Sequence, residues 1–244
     1  MPLASSLKRQ WKRWTIGLVA AVLLVVVGGP FVYIHFVEGK APAPLSLSTA
    51  PATTIVPAGS PATTDVSSGP VQIDGTWKVT SGSQTGYRIK ETLFGQSHTA
   101  VGRTTAVSGT ITIDGTTVSA GSFSADMTKV TSDQAQRDGQ FQNRIMDTST
   151  YPTATFVLTQ PIQLGTLPTD GQQITESATG TLMLHGTTRT VTFPLQARRS
   201  GATIQVSGSI PIVFADYNIS NPSGGPATTS DNGTLEFLLT FVHG

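Results

Sequence analysis

Few side chains in this sequence have the types and spacing that catalysis or metal binding requires. Three histidines in the C-terminal part are scattered along the chain, at His98, His185 and His243. They do not form the paired spacing of a metal-binding motif. Asp126, Asp133 and Asp138 lie close together in polar, turn-like surroundings, and a hydrolase with paired carboxylates would need them to share a cleft. Because cysteine is absent, no thiolate ligand or cysteine nucleophile is available. The sequence predicts a non-enzymatic protein without a cofactor or metal ion.

The distribution of charge argues against a nucleic-acid partner. Four basic residues precede residue 15, at Lys8, Arg9, Lys12 and Arg13. From residue 70 onward, ten Lys and Arg residues stand against twelve Asp and Glu residues, so the net charge there is about −2. Binding of DNA or RNA usually requires a basic stripe or patch, and this region has none in its sequence.

Residues 15–37 predict a membrane anchor. The stretch has 23 residues without Asp, Glu, Lys or Arg, and about 20 apolar residues suffice for a transmembrane helix. The basic segment 1–14 is expected to stay in the cytoplasm, which makes the chain a single-pass protein of the cell membrane with an extracytoplasmic C-terminal domain. A cleaved signal peptide is the alternative, although its apolar core normally has about 7–15 residues.

The next region, residues 38–69, predicts a disordered linker. It is rich in Pro, Ser and Thr, lacks aromatic residues and contains the sequence PATT twice, at 51–54 and 61–64. A segment of this composition buries too little apolar surface to fold by itself. The folded domain is therefore expected at 70–244, held outside the membrane by this linker.

The region 70–244 has the sequence pattern of antiparallel β-structure. Apolar and polar residues alternate, as in Ile111 and Ile113 between threonines, which is typical of a sheet with one buried face. Asp114-Gly115 and His185-Gly186 separate such runs and favour hairpin turns. About eight strands in succession indicate an all-β barrel or sandwich.

One segment, 137–156, interrupts the strand pattern with a short helical insert. Residues 131–134 fit a capping box with Thr131 as the N-cap and Gln134 as its partner, while Phe141 and Ile145 share one helical face. Tyr151-Pro152 then favours an extended return to the next strand. The insert is expected either to plug one end of a barrel or to form a lid with an apolar underside.

Several motifs in this order resemble the YceI-like family. They are Gly75-Thr76-Trp77, the RDGQF segment that begins at Arg137, the Tyr151-Pro152-x-Ala154-x-Phe156 motif, the stretch Gly180–Val191 and the last strand after Gly233. The resemblance spans nearly the whole predicted domain. It implies an extended, lipocalin-like antiparallel β-barrel with an apolar tunnel, similar to exported polyisoprenoid-binding proteins.

If that implication is correct, large apolar residues at alternating positions are candidates to line the tunnel. These candidates are Phe94, Ile111, Phe123, Phe141, Ile145, Phe156, Leu158, Leu182, Leu184, Phe193, Ile210, Ile212, Phe214 and Phe237. Each of them could equally fill an ordinary core. The expected ligand is an isoprenoid, of polyprenyl or quinone type, or a similar long-chain lipid, and the expected surroundings are a membrane. The alternative is a structural or interaction module with a filled core, carried on a surface stalk.

Overall fold

The computed structural model of the chain describes residues 41–47, 73–224 and 227–244, together with the single positions 22 and 29. The predicted cytoplasmic segment 1–14, nearly all of the predicted span 15–37 and the predicted linker apart from 41–47 lie outside these residues.

In the part of the chain that the structure describes, no helix combines the length and the apolar character needed to cross a membrane.

Antiparallel strands make up most of the described domain. In chain order they are β1 (Gly75–Val79), β2 (Gln84–Leu93), β3 (Gln96–Thr104), β4 (Val107–Asp114), β5 (Thr117–Asp126), β6 (Thr153–Leu158), β7 (Ile162–Gln163), β8 (Gln173–Leu184), β9 (Thr187–Ser200), β10 (Thr203–Val213), β11 (Ala227–Thr229) and β12 (Asn232–His243). Eight of them pair in the order β1-β4-β5-β6-β8-β9-β10-β12, and β12 pairs back to β1. The predicted eight-stranded closed barrel is thereby confirmed.

Two consecutive strands, β1 and β2, share one position of the barrel wall. β12 pairs with β2 along Thr234–Leu238 and with β1 along Phe241–His243, so β1 and β2 follow each other beside the same neighbour. The break between them is held by Ser83, whose hydroxyl donates to the Thr80 carbonyl at 2.7 Å and accepts from the Thr240 amide at 2.9 Å. β3 and β4 continue this arrangement on the other side, pairing with β2 and β1 respectively.

The predicted turns are tight, and their central residues adopt the left-handed backbone conformation that such turns require. His185 and Gly186 have φ values of 49° and 71° between β8 and β9, which is the pattern of a type I′ hairpin. Gly115, with φ of 57°, lies in the turn between β4 and β5, as predicted. Phe94 and Gly95 form a corresponding turn between β2 and β3, with φ values of 50° and 80°.

The helical insert is present, but its start differs from the predicted capping box. A 3-10 turn (Met127–Lys129) is followed by α1 (Ala135–Gln140) and a π-helical turn (Phe141–Ile145). The N-cap of α1 is Gln134, without a side-chain cap, so the assignment of Thr131 was wrong.

Two interactions explain that difference. Thr131 is held by reciprocal backbone hydrogen bonds to Arg103 of β3, at 2.8 and 3.0 Å. The Asp138 carboxylate, a stronger acceptor than a glutamine amide, instead receives the amide and the hydroxyl of Ser132, at 2.8 and 2.6 Å.

The core divides into two apolar clusters along the barrel. One, at the end where β1 meets β12, centres on Trp77 and Phe241, both 0% exposed. The indole N–H of Trp77 donates to the Ile73 carbonyl at 2.8 Å, which satisfies the polar group of this buried ring. The other cluster lies around the insert and includes the buried Phe141.

We expect Phe241→Ala to lower the free energy of unfolding by about 3–5 kcal/mol, because it leaves a cavity in a fully buried site. Val242 is the next residue on β12 and is 37% exposed. Val242→Ala is the matched control and should change stability by about 0.5 kcal/mol or less. Denaturant unfolding followed by far-UV circular dichroism measures both, and equal losses in the two variants would contradict this account of the core.

Candidate ligand-binding site

A small, almost entirely apolar cavity of about 180 Å³ occupies the barrel beside the Trp77 cluster. Its wall is built by inward-facing residues of β4, β5, β6 and β8 to β10, completed by β12. The charged residues among its described lining are Glu176, Arg198 and Arg199. Among the apolar ones are Ile111, Phe123, Phe156, Leu158, Leu182, Phe193, Leu195, Ile210, Phe237 and Phe241.

A second cavity, of about 740 Å³, lies between β2, the helical insert and the start of β12. This volume falls within the roughly 300–1,000 Å³ typical of ligand pockets. One side is apolar and includes Tyr87, Ile89, Phe141, Ile145, Leu184, Ile212, Phe214 and Ile219. The insert contributes polar groups to the same cavity, namely Gln134, Gln136, Arg137, Gln140 and Arg144. The insert is therefore part of the cavity wall.

The two cavities meet at a waist formed by four residues, which line both of them: Thr85, Ala125, Ala154 and Leu235. Ala125 of β5 and Ala154 of β6 are directly paired across the sheet. Because both side chains are single methyl groups, they place little volume between the two cavities. The two cavities therefore lie next to each other along the barrel, one narrow and apolar and the other wider with a polar side.

Inward-facing aromatic rings lie against glycines of neighbouring strands. Phe237 is paired with Gly208, and a Cβ on that glycine would lie 2.6 Å from the ring. Phe123 is paired with Gly109, where the corresponding distance is 2.5 Å. These distances are shorter than a non-bonded contact allows. Each ring therefore fills the space that the Cβ of any residue other than glycine would need at the paired position. Each glycine lets a large ring lie along the wall instead of projecting into the interior.

The same arrangement recurs at the wide cavity and between two further strands. A Cβ on Gly102 would lie 2.4 Å from the ring of Tyr87, its partner across β2 and β3. A Cβ on Gly180 would lie 2.4 Å from Phe156. The rings also contact each other around the narrow cavity, with centroids 5.4 Å apart for Phe156 and Phe193 and 5.8 Å for Phe193 and Phe237. These edge-to-face contacts fix the orientation of the rings.

Burial and ion pairing shape the electrostatics of the wide cavity. Tyr87 stacks on Phe141 with a centroid distance of 5.0 Å, and burial raises the pKa of the Tyr87 phenol far above its ordinary value. Glu91 accepts a hydrogen bond from Nδ1 of the buried His98 at 2.9 Å and lies 3.6 Å from the Arg137 guanidinium. The only carboxylate in this cavity wall, among the described lining residues, is thus held by two partners.

Most of the sequence-predicted residues come together around these cavities. Eight line the narrow cavity: Ile111, Phe123, Phe156, Leu158, Leu182, Phe193, Ile210 and Phe237. Five line the wide cavity: Phe141, Ile145, Leu184, Ile212 and Phe214. Phe94 does not join them, because it occupies the turn between β2 and β3 and is 48% exposed. The role of these residues in binding a ligand stays a prediction.

The residues predicted from the sequence do not include the β2 wall of the wide cavity or the waist. Tyr87 and Ile89 alternate with Arg88 and Lys90, which is a readable strand signal. Ala154 gave no such signal, since a small apolar residue is as common in a filled core as at an open waist.

Comparison with known proteins agrees with this architecture. The model of the YceI-like domain family matches residues 77–241. The chain belongs to the YceI-like family. A comparison with curated proteins found no match.

Two solved structures share the fold of this YceI-like domain. One is a polyisoprenoid binding domain from Saccharophagus degradans implicated in plant cell wall breakdown, with 20% sequence identity and a TM-score of 0.57 over 70% of this chain and 99% of that chain. The other is BcnA of Burkholderia cenocepacia, with 22% identity and a TM-score of 0.51 over 65% of this chain and 95% of that chain. At these identities the likeness establishes the YceI-like fold.

The raised pKa of Tyr87 leads to a pH prediction for the YceI-like domain. A folded-state pKa above the ordinary value of 10.0 means that folding favours the neutral phenol, so this contribution to stability is complete below about pH 10 and is lost as the pH rises further. We expect the wild-type free energy of unfolding to fall more steeply between pH 10 and 12 than that of Tyr87→Phe, measured by denaturant unfolding. Equal slopes would contradict the burial of this phenol.

The contact of glycine with aromatic rings gives a second prediction. Gly208→Ala should push the Phe237 ring toward the interior, since its new methyl group would lie 2.6 Å from the ring. We expect a smaller narrow cavity and at least about a tenfold weaker uptake of a fluorescent apolar probe. Ser209→Ala, at the adjacent exposed position, is the control. Undiminished uptake by a folded Gly208→Ala protein would show that the ring does not border the occupied space.

Proposed function

We propose that this protein is a membrane-anchored, extracytoplasmic lipid-binding protein that holds an isoprenoid or a similar long apolar lipid inside its barrel. The observation that carries the proposal is the pair of cavities of about 180 and 740 Å³ that meet at the Ala125–Ala154 waist. The Saccharophagus degradans structure, a polyisoprenoid binding domain, shares this fold and supports an isoprenoid as the first ligand to test.

The apolar wall suits a ligand that offers no hydrogen bonds. Affinity for a hydrocarbon chain comes from the area removed from water, about 0.8 kcal/mol for each buried CH₂ group. A bilayer solvates the same chain equally well, so transfer from membrane to barrel changes the free energy by a small amount. A small free-energy change makes the transfer reversible, and carriage or storage of a lipid requires reversible transfer.

The polar side of the wide cavity suits the head group of such a lipid. Arg137 and Arg144 line this cavity together with three glutamines of the insert, whereas the narrow cavity has a nearly continuous apolar wall. A lipid bound with its tail in the narrow cavity would place its polar end beside these donors. The proposed orientation is therefore tail inward past the waist and head group at the insert.

The proposed location follows from the sequence. The apolar segment 15–37 would anchor the chain in the membrane with segment 1–14 in the cytoplasm, and the barrel would lie outside the cytoplasm. The alternative, a structural or interaction module on a stalk, requires a filled interior. The cavities favour the lipid-binding function over that alternative.

Analysis of the purified full-length chain tests the proposal directly. We expect organic extracts to contain a long-chain lipid, and native mass spectrometry to show uptake of an offered polyprenyl lipid at about one molecule per chain. Absence of a co-purifying lipid together with absence of uptake would refute the proposal.

A substitution at the waist tests where the hydrocarbon chain of the bound lipid lies. Ala154→Phe should block the passage between the cavities, so we expect uptake of long polyprenyl chains to fall about tenfold or more while short chains bind as before. Val157 lies on the same strand and is 44% exposed, so Val157→Phe is the matched control. Equal uptake of long chains by both variants would place the ligand outside the waist.

A further inference from the structure

A carboxylate on the outer wall of the barrel is buried, which requires an explanation. Glu236 of β12 is 2% exposed although its neighbours on the strand, Leu235 and Phe237, are the ones that line the cavities. Because side chains alternate along a strand, Glu236 points away from the barrel interior. A buried charge is tolerated only where it is paired and hydrogen-bonded. Something must therefore cover Glu236 from outside.

Two arginines pair with this carboxylate. Arg103 of β3 donates from Nη2 to Glu236 Oε1 at 2.7 Å and from Nε at 3.0 Å. Arg88 of β2 donates from Nε to Glu236 Oε2 at 3.2 Å. Two guanidinium groups on one carboxylate leave an excess of positive charge and further N–H donors that can bind other acceptors.

A glycine makes this pairing possible across three strands. Glu236 is paired with Gly86, and Gly86 is paired with Arg103 on the next strand. A Cβ on Gly86 would lie 2.9 Å from the Cγ of Arg103. The missing side chain thus lets Arg103 lie across β2 and reach β12. We call Arg88, Arg103, Glu236 and Gly86 the outer-wall cluster.

The cover is a segment of the same chain, residues 41–47. Arg88 Nη2 donates to the Pro42 carbonyl at 2.7 Å, and Arg103 Nη2 donates to the Ala43 carbonyl. In return the Leu45 amide donates to Glu236 Oε2 at 3.4 Å. Leu47 is 6% exposed. The segment has no helix or strand of its own, and its contacts match the donors and the acceptor of the outer-wall cluster.

We propose that residues 41–47 are a docking strap that fixes the barrel at the surface of the membrane. This inference rests on the proposed membrane anchor at 15–37. The strap begins four residues after that segment ends, a distance of about 10–15 Å even when extended. A freely moving linker of 32 residues, 38–69, could instead extend to about 100 Å. Docking shortens the effective tether from the whole linker to these few residues.

The strap also determines which part of the barrel is held near the bilayer. The outer-wall cluster lies on β2, β3 and β12, and the opposite faces of β2 and β12 line the wide cavity. Docking thus keeps the wall of the wide cavity close to the source of the lipid. Pro42 and Pro44 restrict the backbone of the free segment and so reduce the conformational entropy lost on docking.

Hydrogen exchange of the full-length chain in lipid nanodiscs tests the docking. In the wild type, peptides that contain the Leu45 amide should exchange at least about tenfold more slowly than in Leu47→Asp, which places a charge at a buried position of the strap and leaves the barrel unchanged. Ser46→Asp, at an exposed position, is the matched control and should exchange like the wild type. Arg103→Ala should also accelerate exchange of the strap. Equal exchange in the wild type and Leu47→Asp would overturn the proposal.

Energy transfer tests the placement. Because the chain lacks cysteine, Thr116→Cys in the exposed turn between β4 and β5 provides a single donor site, with acceptors on the nanodisc lipids. Transfer should be higher with the native strap than with Leu47→Asp, and equal transfer would overturn the placement of the barrel by the strap.

These experiments separate the strap from the proposed function. A protein that does not remain in the bilayer would refute the anchor and, with it, the placement of the barrel at the membrane. Protection of the strap can still be measured in detergent, and lipid uptake is measured in a separate experiment. Retention in the bilayer with an unprotected strap would refute the strap alone.

Discussion

An eight-stranded barrel keeps an open interior only if its large inward side chains lie along the wall. Barrels of this size are wide enough either to be filled by side chains or to hold one small ligand. Here Phe123 and Phe237 lie over Gly109 and Gly208 of the adjacent strands, at distances that no Cβ would permit. The absent side chains of one strand thus provide room for the rings of the next. This constraint decides whether the molecule has a core or a binding site.

The waist and the helical insert build on that constraint. Ala125 and Ala154 line both cavities, so only small side chains lie between them at this level. The insert closes the wall beside β3, where Thr131 pairs with Arg103, and brings polar groups to the wide end. One interior therefore has an apolar end and a mixed end, which matches the chemistry of a lipid with a head group.

Features that depend on residues close together in the sequence were predictable, and features that depend on pairing between distant strands were not. Alternation and turn residues act locally, so the strands, the hairpin at His185-Gly186 and the insert were predictable. The pairing of Gly208 with Phe237 was not, because nothing in the sequence indicates which glycine faces which ring. Phe94 shows the opposite error, since its apolar character suggested the interior while its position in a tight turn exposes it.

The docked segment 41–47 was the largest departure from expectation. Its proline content is typical of a linker, and its binding partners are remote in the sequence, since Leu45 and Glu236 are separated by 191 positions. Backbone carbonyls make the contacts to Arg88 and Arg103, so the side chains of the segment carry no signal of them. Only the buried glutamate on the barrel indicates that a cover is required.

In the proposed complex, a single lipid chain occupies the interior and crosses the waist. The most direct measurement is a crystal structure of the protein with a long-chain lipid analogue that carries bromine at the end of its tail. We expect continuous density for the lipid past Ala125 and Ala154, with the anomalous bromine signal in the narrow cavity. Bromine found only on the outer surface, with the interior closed by the phenylalanine rings, would contradict it.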